Sequence, residues 1–494
     1  DVAALDHFRK IQGSGVWSTW IEGFARYEGT DSRIRSTRVF LREPDGTPLT
    51  VAKTDTLGGY FVAGDDGTHL ATCTADGPNR WVDLAPGVGA YGIYADPGRN
   101  ELALRGWEDP TSGALLPLAD GHPPPDSATV ELEPGRYWQP WEVEQSATLA
   151  LRVVDENGAP IPAVVRIELP GADPYPPRAE LGEQRPAPGV RKVAWLLDGE
   201  ADVPIPAGSY DLLAHRGLQY ETDRVEGVDL GPDEVREVTL TLERAYDATG
   251  YLAADLSSHA SPSMDSLVTP QRRLVMAAAN GIEVHVAAEA DQVADYRPLV
   301  DVMGIDGWLT TVPGVELSAI HRGRFLAFPR EPDPAAPGGG AVRWWESGGT
   351  TAALVDDLRE GHGGGAVVVA AGRSDRGMLT LGGYEPGNGA PADPSRHTED
   401  FDALELVTGA ASAETGELLA DWCSFLDRGL TPSAVGSSGA VDGNPGGTLA
   451  RTFLALGDDP TQVAGDDVAA AVVGGRAVVS AGPFIELTAV DGGG

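Results

Sequence analysis

The stretch AADLSSHASPSMDS, residues 253–266, sets two acids, five hydroxyls and an imidazole close together, with a spacing at its start that suits a metal site. Asp255, Leu256, Ser257, Ser258 and His259 follow the outline D-L-H-x-H, in which a strand end offers two imidazoles to one ion. Residues two apart in an extended chain point to one side, so positions 257 and 259 share a face. Of that pair only His259 is a strong electron-pair donor, because a serine hydroxyl is a poor ligand for a transition metal. The stretch reads either as a weakened metal hydrolase or as a fold that has lost its chemistry.

The elements around it narrow the choice. With 494 residues the chain is long enough for roughly three domains. Seventy-four acids against 36 basic residues give a net charge of -38, which repels phosphate backbones and sets nucleic acid aside as a partner. No apolar run approaches the ~18 residues of a membrane helix. The opening DVAALDHFRK lacks the basic start and apolar core of a signal peptide, and both ends of the sequence are expected to be incomplete. Cys73 and Cys423 fall in different expected domains and have no metal-type spacing, so a disulfide between them is not expected.

Up to about residue 245 the chain carries short β-type runs broken by Pro and Gly, the pattern of antiparallel sandwiches. TRVFLREPDGTPLTVAKTDTLGGYFVAG (37–64) and ATLALRVVDENGAPIPAVVRIEL (147–169) share a plan of strand, D-G or N-G turn, Pro-marked edge and second strand. VPIPAGSYDLLAHRG (203–217) adds another strand. Beyond 245 the period changes. Helical patterns at 270–281, 350–365 and 416–429 each run through Gly into an apolar strand, at 282–288, 366–372 and 431–438. Such alternation predicts parallel strands with crossover helices, and chemistry at their carboxyl ends. Segments 330–341 and 382–400 read as mobile surface loops. His285, inside a strand run, reads as a satisfied sheet residue, and EGHGGGA (360–366) as a helix-to-strand closure rather than a phosphate loop. The aromatic groups VWSTW (16–20), RYWQPW (136–141) and RWW (343–345) read as core and rim.

Two resemblances sharpen this. Residues 146–243 resemble the carboxypeptidase regulatory-like (transthyretin-like) sandwich. RAYDATGYLAADLSSHASPSMDSLVTPQRR (244–273), GIEVHVAAEADQVADYRPLV (281–300), VPGVELS (312–318), FDALELVTG (401–409) and WCSFLDRGLTPSAVGSS (422–438) together resemble the PHP (polymerase and histidinol phosphatase) superfamily, in its CehA/McbA-like metallohydrolase branch. The expected architecture is therefore multi-domain: a β-rich domain over 1–145, an all-β sandwich over 146–245, and an α/β distorted (β/α)7 PHP-like barrel over 246–494 with a C-terminal β extension. The resemblance implies metals at the carboxyl-end mouth of that barrel.

Position by position, the implied ligands are largely gone. The leading His of the first motif is Ser257, the second is kept as His259, and Asp265 matches the acid that follows. T-D-H-N reads Ala288, Glu289, Ala290, Asp291; Glu316 is kept; the G-H step reads Gly323, Arg324. N-H-P-R reads Ala370, Ala371, Gly372, Arg373, and S-D-x-H reads Ser438, Gly439, Ala440, Val441. Ligand-type groups are thus missing at 257, 290, 324, 371, 439 and 441, while His259, Glu289 and Glu316 survive. A metal that activates water needs about three protein ligands and an open position, and Arg324 puts a fixed cation where an ion would sit.

The sequence therefore predicts a pseudoenzyme without cofactor, an extracytoplasmic structural or protein-binding component of a larger assembly. Its vestigial pocket comprises Asp255, Ser257, His259, Asp265, Glu289, Asp291, Glu316, Arg324 and Arg373, with Arg324 paired to Glu316 or Glu289. Two alternatives stand beside it. One is a residual phosphoesterase with a single divalent metal on His259, Glu289 and Glu316, helped by Asp291 or His321. The other is a sensor in which Arg324 and Arg373 grip a small anion.

Overall fold

The computed structural model describes residues 146–171, 190–266, 268–346, 348–360, 365–441 and 450–485, and before them the backbone alone of ten strands between Thr19 and Val143. The protein is multi-domain and mostly β-sheet, with few helices. Among the early strands, Arg38–Arg42 pairs antiparallel with Pro48–Lys53 and with Gly98–Arg105, in line with the strand plan read over 37–64.

The second unit is a sandwich of seven strands: β1 (Ser146–Asp155), β2 (Ala163–Glu168), β3 (Val190–Leu196), β4 (Glu200–Pro206), β5 (Gly208–His215), β6 (Asp223–Leu230) and β7 (Val235–Leu242). One sheet has the order β4-β1-β7 and the other β3-β2-β5-β6. Alternation explains the burial. Ala147, Leu149, Leu151 and Val153 of β1 face inward, as do Ala163, Val165 and Ile167 of β2 and Val238, Leu240 and Leu242 of β7, and all join one apolar core between the sheets. The N-G turn at 157–158 does not close a hairpin. Asp155 accepts from Asn157 N and Ala159 N, and the chain crosses from one sheet to the other, with an isolated Val154–Pro160 bridge between β1 and the segment that precedes β2.

Besides a two-residue pair in the 382–400 segment, the described strands of the third unit are β8 (Leu252–Asp255), β9 (Val284–Ala287), β10 (Thr310–Pro313), β11 (Val315–Ala319), β12 (Gly323–Phe328), β13 (Ala366–Ala370), β14 (Ala403–Thr408), β15 (Ser433–Ser437), β16 (Arg451–Leu454) and β17 (Ala477–Ser480). They form two sheets, β10-β9-β8-β16-β17 and β11-β12-β13-β14-β15. The helices are α1 (Pro270–Ala279), α2 (Arg297–Met303), α3 (Thr351–Glu360), α4 (Met378–Leu381), α5 (Ala413–Asp427) and α6 (Gly465–Val473). The parallel pattern expected from alternation is found at β8-β9-β10 and β13-β14-β15. It fails at β11-β12-β13, where the link from β11 to β12 is a short turn, and at β8-β16-β17; the pairings there are antiparallel. A turn of a few residues can join only antiparallel neighbours, because a parallel return needs a crossover.

The sheets share a core of Leu252, Val284, Val312, Leu326, Val368, Ala403 and Val435, with Val468 and Val472 of α6. Gly314 joins the two sheets where β10 runs into β11, and a Cβ there would lie 2.7 Å from Val286 Cγ1. Helix α1 begins as its sequence suggests, with Thr269 Oγ1 accepting from Arg272 N and Pro270 in the first turn. Segments 330–341 and 382–400, read as surface loops, carry short local structure: Val293 N donates to Gly338 O, and Tyr384–Glu385 pairs with Ala390–Pro391.

Arginines fasten the sandwich to the third unit. Arg216, just past β5, is buried and donates to Pro162 O at 2.6 Å and to Ala278 O of α1 at 2.7 Å, with its guanidinium 5.1 Å from the Trp308 ring centre. Arg451 donates to Gln219 Oε1 and to Asn280 O, and Arg272 lies over Trp195 of β3. Truncating Arg216 leaves two buried carbonyls unpaired and a void, which costs on the order of 3 kcal/mol. Calorimetry of Arg216→Ala is expected to show the sandwich melting apart from, and below, the third unit; an unchanged single transition would contradict that coupling.

Candidate functional site

Apart from Arg373, the sequence-derived site residues sit where the segments leaving β8 and β9 meet β11 and the start of β12. Backbone straps fix this end. His259 N donates to Ala440 O at 2.8 Å and Gly439 N to Ser257 O at 2.9 Å, tying the exit of β8 to that of β15. Asp291 N donates to Glu316 O and Glu316 N to Glu289 O, tying the exit of β9 to β11. Arg273 of α1 holds the loop from beneath, its Nε donating to His259 O at 2.8 Å.

Glu316 is the centre. It is 2% exposed, and its Oε1 accepts from Arg324 Nε at 2.9 Å and from Arg324 Nη2. Its Oε2 accepts from Ser257 Oγ at 3.4 Å and lies 3.5 Å from His259 Nε2, an ion-pair distance without hydrogen-bond geometry. On the far side of the ring, His259 Nδ1 lies 2.9 Å from Asp265 Oδ1. The result is a closed series of charges, Asp265, His259, Glu316, Arg324. Burial opposes the charge on His259, but Asp265 and Glu316 outweigh it and push the imidazole up to about 10. Burial alone would raise Glu316; His259 and Arg324 instead hold it below the ordinary carboxylate range. The bond to His259 lowers Asp265 likewise.

The other acids are engaged elsewhere. Glu289 is fully buried and accepts from Ala260 N on both oxygens, from Ser263 Oγ and from Tyr296 Oη, the last two at 2.5 Å. Burial, then Glu289, pushes the Tyr296 phenol up, so it stays a donor. Asp291, at φ 53°, accepts from Ser318 N, and His321 is exposed on the β11–β12 turn. Asp255 accepts from Ser438 N at 3.0 Å and Ser438 Oγ at 2.5 Å, and burial raises its pKa. Arg373 is not part of the cluster. Its Nε donates to Asp421 Oδ2 of α5 at 2.7 Å and its Nη2 to Tyr384 O, which commits it away from any anion gripped with Arg324.

His285 bridges Ser258 Oγ (3.0 Å) and Thr311 Oγ1 (3.1 Å) as a satisfied core residue, and burial takes it down to about 3. Trp344 packs on the core while Trp345 is exposed; the other two aromatic groups and Cys73 lie outside the residues whose side chains are described. Cys423 is free and exposed.

Glu405 of β14 escaped the sequence reading. It is 1% exposed, accepts from Ala371 N on Oε2, and burial pushes it up. Its Oε1 and the nearby Ser437 Oγ are buried without a hydrogen-bond partner among the described residues. The signal was there in FDALELVTG, an acid inside an otherwise apolar strand. At 439, φ is 59° and a Cβ would lie 2.5 Å from Thr408 Cγ2, so glycine answers a backbone requirement.

The donor set does not fit a catalytic metal. Glu289 is saturated by protein donors and Glu316 is clamped by a guanidinium, which leaves His259 without a free carboxylate beside it to complete a site. Among the described residues no group of three or more His, Cys, Asp or Glu is arranged to hold an ion.

No family model matches the sequence, and no curated protein matches it. Solved structures show low likeness. The Bacillus anthracis TIE protein is 10% identical at a TM-score of 0.18, over 45% of this chain and 34% of that one. A two-domain protein from Bacteroides vulgatus, described as containing a predicted PHP-like metal-dependent phosphoesterase, is 16% identical at a TM-score of 0.32, over 48% and 67%. A streptococcal ancillary pilin is 14% identical at 0.21, over 45% and 62%. The chain thus spans about a third of the first protein's length. The fold described above rests on the strand ladders, not on these scores.

The charged series has a pH signature. His259 has its pKa raised from 6.5 to about 10, so the stability it contributes is complete below pH 6.5 and is lost as pH rises through 10. His259→Gln is therefore expected to melt well below the parent at pH 6 and close to it at pH 10.5. A gap that stays constant across that range would show that His259 is neutral in the folded protein.

Proposed function

We propose that residues 246–485 form a PHP-like domain that has exchanged its metals for an internal salt bridge, and that the protein serves as a non-catalytic binding or structural component. The observation that carries this reading is the Arg324 guanidinium seated on Glu316 beside a protonated His259. A guanidinium is always charged and occupies the carboxylate that a divalent ion would need. Removing several charge-matched metals from a pocket leaves acids behind, and Arg324 with His259 neutralises them. The ordered sequence motifs support the PHP-like assignment and its distorted barrel. They also support an extracytoplasmic setting, as the branch it resembles is of that kind.

A role in assembly with other proteins follows from the remaining features. The chain is modular, with β units in series before the last domain. Its net charge of -38 favours proteins over nucleic acid or anionic membranes as partners. No helix among the described residues is long and apolar enough to cross a membrane.

Elemental analysis of the purified chain is expected to find no stoichiometric Mn, Fe or Zn, and phosphodiester hydrolysis with added Mn or Zn is expected to stay at the buffer rate. Stoichiometric metal with turnover above that rate would refute the proposal. The double change Ser257→His with Arg324→His is expected to give a zinc affinity that the parent lacks, since it adds two imidazoles and removes the cation.

A further inference from the structure

Where β12 ends and β13 begins, beside the last turn of α3, lies a cavity of about 120 Å³. Among the described residues its lining contains Arg330 and Arg359 and no acid; the remainder is Phe328, Pro329, Leu358 and other apolar or glycine positions. In a chain with twice as many acids as bases, such a lining is unusual. Arg330 is 4% exposed. It donates Nη1 to Leu358 O at 2.7 Å, while its Nε is buried without a hydrogen-bond partner among the described residues. Burial lowers its pKa to about 10, with no carboxylate raising it. The terminal nitrogens of Arg359 are paired with Asp402 Oδ2 at 3.2 Å and with Asp400 Oδ1 and O at 3.3 Å, which leaves its Nε, buried and without a hydrogen-bond partner among the described residues, as the one nitrogen it can offer.

Two explanations compete for Arg330. Capping the last turn of α3 accounts for one nitrogen, since a cation suits a helix carboxyl end. It does not account for the empty volume, the unused Nε or a buried charge with no counter-charge, a state that costs several kcal/mol unless something answers it. Water answers an unpaired N–H but not the charge. We propose that this cavity is a binding site for a small oxyanion, phosphate, sulfate or a carboxylate, held by Arg330 with Arg359 at its side. The planar fork of a guanidinium matches two oxygens of such a group, and the low local dielectric strengthens the pair. The close approach of the backbone shapes the floor: a Cβ at Gly365 would lie 2.8 Å from Phe328 O, so a side chain there would displace the strand edge. The site is independent of the Glu316 cluster and of any view of what that cluster does.

The test is thermal melting of the full chain in a non-coordinating buffer, with phosphate, sulfate or acetate titrated against chloride at equal ionic strength. Binding raises the melting temperature with the logarithm of anion concentration. The parent is expected to rise with at least one oxyanion and not with chloride, and the three arms separate a tetrahedral dianion from a carboxylate. Arg330→Met is expected to melt no lower than the parent in chloride, because it removes a buried unanswered charge, and to show no oxyanion response. Arg359→Gln, at a half-exposed position that leaves the core intact, is expected to weaken the response at least several-fold. Equal shifts in chloride and oxyanion for the parent would overturn the site, and so would an undiminished response in Arg330→Met. If Arg330→Met fails to fold, the Arg359→Gln comparison and the chloride control still decide it.

Discussion

One buried carboxylate sets the terms for everything at the carboxyl end of the third unit. Glu316 is surrounded by apolar strands, and a charge in that position must be answered within a few ångströms or given up. Here it is answered twice, by Arg324 across the β11–β12 pair and by His259 from the loop after β8. The second answer has its own condition: burial opposes a charge on the imidazole, and Asp265 at the opposite nitrogen joins Glu316 in favouring it. Two segments far apart in sequence, the loop after β8 and the β11–β12 pair, are thereby drawn to one point, and the backbone straps between the strand exits close around them.

That arrangement also depends on what lies behind it. Helix α1 supplies Arg273 to the carbonyl of His259, and the same helix offers Ala278 O and Asn280 O to Arg216 and Arg451. The sandwich and the charged cluster are therefore connected through one short helix whose flanking carbonyls are used up by arginines. Buried guanidiniums on carbonyls provide direction rather than great strength, since each must recover its own desolvation. Their effect is to fix the helix at a single height and rotation, which decides where His259 stands.

Legibility in the sequence followed the range of the interactions. Local signals were clear: the inward alternation of Ala147, Leu149, Leu151 and Val153, the Thr269-Pro270 start of α1, and the strand-end character of Asp255 to His259. The choice of Arg324's partner was narrowed to two acids, and geometry picks Glu316 because residues 316 and 324 lie on neighbouring antiparallel strands while Glu289 spends its oxygens on Tyr296, Ser263 and Ala260. Arg373 was misplaced for a non-local reason. Its partner Asp421 lies on α5, and nothing in the spacing of 373 reveals a helix arriving 48 residues later to take the guanidinium. Glu405 was overlooked because an isolated acid in an apolar strand resembles a strand end. The antiparallel steps within the sheets were hidden for the same cause, since a run of helix, glycine and strand does not state the direction in which the next strand is laid.

Gly439 fixes the shape of the strap beside the cluster. Its φ of 59° favours glycine, and Thr408 Cγ2 stands 2.5 Å from where a Cβ would begin, so backbone and space together ask for the smallest residue. Any larger residue at 439 must first move Thr408 or the loop that carries it, and because Gly439 N is also bonded to Ser257 O, such a movement would be felt at the exit of β8 as a change in where the imidazole two residues on is held.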